Sequence, residues 1–318
     1  MKLFPSFTSE IIPERPYSFE LTVRKPTGWA LFTPSEIFAE GTLWTATHID
    51  NRLVGIKLRS KGTLDEPTVI AEIFLEKKPN ASQLRSINRS VTRSIGASED
   101  LTEFYAMAEN DDILKHAVVD LRGMHNTMAS TIFPDAILAI TLQMTTITRS
   151  NQMMDCLLRT YGDVAEFDGK IVHAWPRPDS LASVTPEVLA KMCNMGYRAK
   201  HLVRLAKKID SEGFPNIEEL ESLTPMEAKK LLLELPGIGD YSADIINPHG
   251  GFPIDVWSAD VFGQLLFGKE PVDKDKEIQL IKNEGIRRWG KWSWMAFYYV
   301  VQDLENLSDR LGVKLRLS

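Results

Sequence analysis

At 318 residues, with 43% hydrophobic and 25% charged side chains, the chain has an ordinary globular composition and length for two domains or one large one. Two cysteines exclude a disulfide framework or four-cysteine zinc site, and six histidines without an H-x-x-x-H pair point to no metal enzyme. A net charge of −6 opposes binding to a polyanion unless basic residues are gathered locally.

The opening MKLFPSFTSE has no apolar signal segment and no later stretch approaches membrane-spanning length, so a cytoplasmic protein without membrane attachment is expected. The first hundred residues read as β-rich. Ser18–Val23, Leu43–Ile49, Arg52–Leu58 and Thr68–Leu75 are short runs of β-branched and aromatic residues, with Asp50-Asn51 as a hairpin turn. Leu84, Ile87, Val91 and Ile95 then fall at helical spacing. Beyond Pro134 strand signals vanish, and helices are expected over Pro134–Ile147, Asn151–Tyr161, Leu181–Met195 and Tyr197–Ile209. Thr185-Pro186-Glu187 and Thr224-Pro225-Met226-Glu227 mark helix starts. Further helices follow around Val256–Leu266, Lys274–Asn283 and Trp292–Leu304. The division predicted is an α+β domain over 1–110 and an all-α body over 111–318.

The most informative stretch is Leu231–Phe267, with a helical hairpin at 231–247. An amphipathic run turns at Pro236-Gly237-Ile238-Gly239, where two glycines allow φ > 0 or close approach, and Asp240 is placed to cap the next helix. A turn that leads into a helix N-terminus offers backbone N–H groups to a phosphate. Phe252-Pro253-Ile254-Asp255 then sets one acid in an apolar context ahead of another helix.

The hairpin and the P-x-D segment at this spacing resemble the helix-hairpin-helix DNA glycosylases, in particular the alkylpurine (3-methyladenine) and 8-oxoguanine branches. The resemblance implies a small N-terminal TBP-like α+β domain before a helical body, and a monomer acting on double-stranded DNA that contains a damaged base. It assigns Asp255 to catalysis and Pro236, Gly237, Ile238 and Gly239 to the DNA phosphates. The carbonyls of Leu233, Leu235 and Ile238 match positions that hold a monovalent cation in relatives. No other cofactor is implied, and no iron–sulfur cluster is expected.

Further matches extend the resemblance. In FPDAILAITLQMTTITRSNQMMDCLLRTYG, Gln143 falls at a loop and Met144 at the wedge that fills the gap left by a flipped nucleotide; core packing is the other reading of Met144. Arg149 matches an arginine that contacts the unpaired partner base. Asn194–Lys200, NMGYRAK, resembles a G-L-G-Y-R-A-R segment, with Tyr197 packing into the opened duplex and Arg198 reading the same base. Phosphate contacts or surface ion pairs remain open for both arginines. Arg288-Trp289-Gly290-Lys291-Trp292 resembles a closing aromatic segment, either core or pocket. Two basic clusters, Arg198 to Lys208 and Arg287 to Lys291, are either DNA-facing or ordinary solvated faces.

One departure bears on the chemistry. Bifunctional members carry a lysine nucleophile two residues after the second hairpin glycine, where this chain has Tyr241; the alkylpurine members carry tryptophan there. A tyrosine forms no Schiff base. Expected is therefore hydrolytic, monofunctional removal of alkylated purines, with Tyr241 and Trp257 lining the base pocket. Asp240, Asp244 and Asp260 are the competing acids. An 8-oxoguanine glycosylase and a non-enzymatic helix-hairpin-helix DNA-binding protein are the alternatives.

Overall fold

The computed structural model describes residues 1–24, 36–129 and 131–315. Two compact units divide the chain, the first from 1–99, 123–219 and 234–237, the second from 100–122, 220–233 and the described residues from 238 on.

The first unit opens with β1 (Phe4–Ile11), α1 (Phe19–Arg24), β2 (Ile37–Ala39), β3 (Thr42–Ile49), β4 (Arg52–Ser60), β5 (Val69–Leu75) and α2 (Ala81–Ser94). The strands form one antiparallel sheet in the order β1-β5-β4-β3-β2. Asp50 and Asn51 make the β3–β4 turn, both with positive φ, as the sequence predicts. Ser18–Val23, expected as a strand, is helix α1: Phe19, Thr22 and Val23 are its buried residues, spaced three and four apart, and Ser18 Oγ accepts from Leu21 N. The sequence reading misses two strands of this sheet, the three-residue β2 and β1, whose register is broken by an irregularity between Pro5 and Phe7.

The chain then contributes α3 (Thr102–Glu109) and α4 (Leu114–Ala117) to the second unit. It returns to the first with α5 (Ile132–Leu142), α6 (Ile147–Tyr161), β6 (Val164–Phe167), β7 (Lys170–His173), α7 (Pro178–Ala182), α8 (Pro186–Met192) and α9 (Arg198–Glu212). The β6–β7 hairpin corrects the expectation that strands end early; its signal was Asp168-Gly169, a turn pair with positive φ at both residues. Ala165, Phe167 and Val172 of this hairpin pack with Ala46, Leu53 and Phe74, whereas Ile56, Leu58, Ile73, Ile87 and Val91 share a separate cluster with α1 and α2. Apolar cover on both faces accounts for the nearly continuous apolar runs of β4 and β5.

The expected helix Pro134–Ile147 ends at Leu142, so 143–146 form a loop, and Leu181–Met195 is two short helices. Following α10 (Ile217–Ser222), the second unit holds α11 (Pro225–Leu233), α12 (Asp240–Ile246), α13 (Ser258–Phe267), α14 (Lys274–Trp289), α15 (Ser293–Gln302) and α16 (Leu304–Leu311). Thr224 and Glu227 form a reciprocal capping box at the start of α11. Phe252, Phe262, Trp289 and Phe297 make the aromatic core of this unit, with Phe252 and Phe262 edge to face at 5.0 Å. Trp289, left open between core and pocket, is core: it is buried and donates Nε1–H to Asp111.

Candidate active site

In the second unit the buried Phe252 anchors the segment that delivers Asp255 to the start of α13. The Asp255 carbonyl accepts from Ala259 N at 2.9 Å, so the first helical turn begins there. Its Oδ1 accepts from Trp257 N (3.1 Å), Ser258 N (2.9 Å) and Ser258 Oγ (2.8 Å), and Ser258 Oγ in turn accepts from Asp255 N (2.9 Å). This reciprocal pair is a capping box with serine at the third helical position. It fixes the carboxylate through one oxygen. Among the described residues Oδ2 has no hydrogen-bond or ion-pair partner. Lys274, opening α14, donates to the Val256 carbonyl (2.9 Å) and to Asp260 (2.6 Å), fastening the backbone just after the acid.

The competing acids are neutralised. Lys229 on α11 lies 2.6 Å from both Asp240 and Asp244, and the buried Lys282 on α14 contacts the same two carboxylates. Burial alone would lower the Lys229 pKa; the Asp240 and Asp244 hydrogen bonds and charges outweigh it and hold the ammonium above its ordinary range. Asp260 is paired with Lys274. Of the four acids considered, Asp255 alone has no ion-pair partner among the described residues. Asp240, expected as a helix cap, is instead the first residue of α12, its side chain drawn into the lysine cluster. Sequence reading missed this cluster because Lys229 and Lys282 come from different helices.

Tyr241, one residue on, is half-buried. Burial, and then the charge of Asp255, push its phenol pKa above the ordinary tyrosine range. Phenol and carboxylate thus sense one another across the same unit. Trp257, also half-buried, donates its backbone N–H to Asp255, while its indole Nε1 is buried without a partner among the described residues.

The predicted DNA-reading residues gather in the first unit. Gln143 ends α5 and its Nε2 donates to the Gly237 carbonyl at 2.8 Å. Met144 follows with φ 46° and is 70% exposed, which removes the core reading. A positive φ is costly for an unbranched non-glycine residue and persists only where neighbours hold it. Those neighbours are visible: the Arg198 guanidinium donates to the Gln143 carbonyl and, at 3.2 Å, to that of Met144. Arg149 Nη2 donates to the Asn194 carbonyl at 2.7 Å. Tyr197 is 51% exposed, with the Arg198 guanidinium 4.7 Å from its ring centre.

The two hairpin glycines differ. Gly237 has φ 83°, and a β-carbon there would lie 2.6 Å from His201 Cβ on α9. At Gly239 the φ is −101° and a β-carbon would meet nothing within 4 Å, so glycine is required there by neither the backbone conformation nor the described protein atoms. On α9, Lys200, Arg204 and Lys207 form an exposed stripe without ion pairs among the described residues. The second basic cluster is consumed instead by Arg287–Glu284, Arg288–Asp111 and Lys291–Glu103.

No helix among the described residues is long and apolar enough to cross a membrane, and none of them forms a group of three or more His, Cys, Asp or Glu able to hold a metal ion.

No known protein-family profile matches the chain. It is 25% identical over 198 residues to a probable N-glycosylase/DNA lyase of Methanothermobacter thermautotrophicus, an alignment covering 55% of this chain and 62% of that relative. In structure it resembles a 3-methyladenine DNA-glycosylase from Archaeoglobus fulgidus, with a TM-score of 0.74 over 96% of this chain and 100% of that one at 18% identity. It also resembles an 8-oxoguanine glycosylase/lyase of Clostridium acetobutylicum without ligand, with a TM-score of 0.71 over 95% and 98% of the two chains at 18% identity. The fold is therefore the one shared by these DNA glycosylases.

Proposed function

We propose that the protein is a monofunctional DNA glycosylase that flips a damaged, alkylated purine out of duplex DNA and removes it by hydrolysis. The observation that carries this reading is Asp255: held through Oδ1 by three hydrogen bonds, free of ion pairing among the described residues, and close enough for its charge to act on the phenol of Tyr241.

Breaking an N-glycosidic bond leaves positive charge on the sugar. A fixed carboxylate with one unengaged oxygen stabilises that charge and orients or deprotonates a water. The phenol of Tyr241, kept neutral, offers a face on which a cationic purine stacks. Trp257 supplies a second aromatic wall. Met144 fills the vacated space in the duplex, where an unbranched side chain adapts to either neighbouring pair. Arg149, Tyr197 and Arg198 meet the estranged base. Pro236 shapes the turn from which Gly237, Ile238 and Gly239 bring backbone N–H groups to a phosphate, and Leu233, Leu235 and Ile238 offer carbonyls to a monovalent cation. In this reading the N-terminal sheet and its helices form the TBP-like layer, and the enzyme works as a monomer.

The names of the similar proteins support both 3-methyladenine and 8-oxoguanine as substrates. Tyr241 in place of lysine favours the first, whereas Arg149 and Gly196-Tyr197-Arg198 favour the second. Base release from duplexes carrying 3-methyladenine, 7-methylguanine, hypoxanthine or 8-oxoguanine tests the choice, with fastest release expected for the methylated purines. Release of none, with duplex binding intact, would leave a non-enzymatic DNA-binding protein. Replacing sodium and potassium by a bulky organic cation at constant ionic strength is expected to weaken duplex binding if the hairpin cation is used.

A further inference from the structure

Cys156, half-buried on α6, and Cys193, buried at the end of α8, are joined by a disulfide with their Cα atoms 5.4 Å apart. The bond lies within a set of links between two segments. Arg149 and Cys156 stand two turns apart on one face of α6. Arg149 reaches the Asn194 carbonyl at 2.7 Å, Cys156 bonds Cys193, and Tyr161, ending α6, donates to Met192 Sδ at 3.6 Å. Just after this anchored turn, Asn194 and Gly196 both adopt positive φ, which swings Tyr197 and Arg198 into place. Arg198 then closes the ring by donating to the carbonyls of Gln143 and Met144, the loop that leads into α6.

The wedge loop and the Tyr197–Arg198 turn therefore hold one another in register, and the disulfide is the covalent member of the set. The Arg149 and Tyr161 links beside it are single hydrogen bonds between exposed groups, each worth little on its own. Opening the bond releases the end of α8 from the middle of α6 and leaves the strained Met144 and Asn194 backbones with fewer constraints. We propose that Cys156–Cys193 is a redox site that controls DNA engagement: closed, it presets the wedge and reading turn for the duplex; open, it lets them drift and binding weakens. This rests on the glycosylase reading above.

The co-reactant is a low-molecular-weight dithiol. One of its thiolates attacks the half-buried Cys156 sulfur, forming a mixed disulfide and expelling the Cys193 thiolate, which takes a proton from water. The second dithiol sulfur then attacks its partner in the mixed disulfide, closing a cyclic disulfide and releasing Cys156. Two electrons pass from the dithiol to the protein, and reoxidation by a disulfide reverses each step.

The test compares oxidised and dithiothreitol-reduced protein, with redox state verified by mass after thiol alkylation and folding by circular dichroism. Expected is a fivefold or greater rise in Kd for a lesion-bearing duplex on reduction, with the single-turnover rate of base release at saturating enzyme changed less than twofold. The Cys156→Ser/Cys193→Ser double variant is expected to match the reduced protein and ignore dithiothreitol. Equal Kd in both states overturns the redox site and leaves the glycosylase reading standing, as does sensitivity to dithiothreitol that persists in the double variant. Oxidised protein that neither binds duplex nor releases base overturns both.

Discussion

Asp255 caps a helix and, in the proposed function, is also the catalytic charge, and two substitutions separate the roles. Asp255→Asn keeps an oxygen that accepts from Trp257 N, Ser258 N and Ser258 Oγ, so the capping box of α13 survives. What is lost is a negative charge at a helix N-terminus, about 0.3–1 kcal/mol. Asp255→Ala removes all three acceptor contacts and leaves Ser258 without its reciprocal partner, costing about 1–2 kcal/mol in stability. In catalysis the two are alike, because neither provides the carboxylate oxygen that faces the developing cation. Loss of such a preorganised charge lowers turnover roughly 100- to 1,000-fold, about 2.7–4 kcal/mol of transition-state stabilisation. Chemical denaturation reports the first quantity; single-turnover base release from methylated duplex, with affinity measured separately by fluorescence anisotropy, reports the second. Base release by Asp255→Asn within threefold of the unsubstituted protein would refute the catalytic assignment. Equal destabilisation by Asn and Ala would refute the account of the cap.

The hairpin glycines are expected to part company. Gly237→Ala forces a side chain into the left-handed region and against His201, lowering stability by more than about 1 kcal/mol, whereas Gly239→Val folds normally and weakens binding to damaged and undamaged duplex alike; unchanged affinity would mean that no phosphate approaches there. Borohydride is expected to trap no enzyme–DNA adduct, since Tyr241 replaces the lysine and Lys229 is held charged by two carboxylates; a stoichiometric covalent complex would show a bifunctional enzyme. With its pKa raised, the Tyr241 phenol stays neutral through the alkaline range, and its contribution to stability is lost only as pH rises past the unfolded-state value of about 10. Base release by the native protein and by Tyr241→Phe should therefore share one alkaline limb below that pH, and a limb that disappears in the phenylalanine variant would contradict it.

Features set by a few consecutive residues were legible in the sequence. The Asp50-Asn51 turn, the Thr185-Pro186 and Thr224–Glu227 helix starts and the hairpin at Gly237 follow from local backbone chemistry, which acts over about one turn of chain. The Pro253-Ile254-Asp255 motif is of the same kind. What the sequence could not determine was which of four nearby acids is left unpaired. That was decided by lysines on other helices: Lys229 and Lys282 reach Asp240 and Asp244, and Lys274 reaches Asp260. Ser18–Val23 has strand-like composition, yet it is helical because Phe19, Thr22 and Val23 bury one face in the cluster beneath the sheet, and packing overrides β propensity. The different demands at Gly237 and Gly239 were equally invisible, since the positive φ of Gly237 and the approach of α9 to it distinguish two glycines with a single residue between them. Met144 reads as core or wedge by type alone; its exposure was fixed by Arg198, fifty-four positions away, holding the loop carbonyls. The disulfide required Cys156 and Cys193, separated by 37 residues, to meet. Backbone turns and caps are short-range and leave a mark in sequence, whereas charge pairing, burial and covalent cross-links depend on which distant segments the fold brings together.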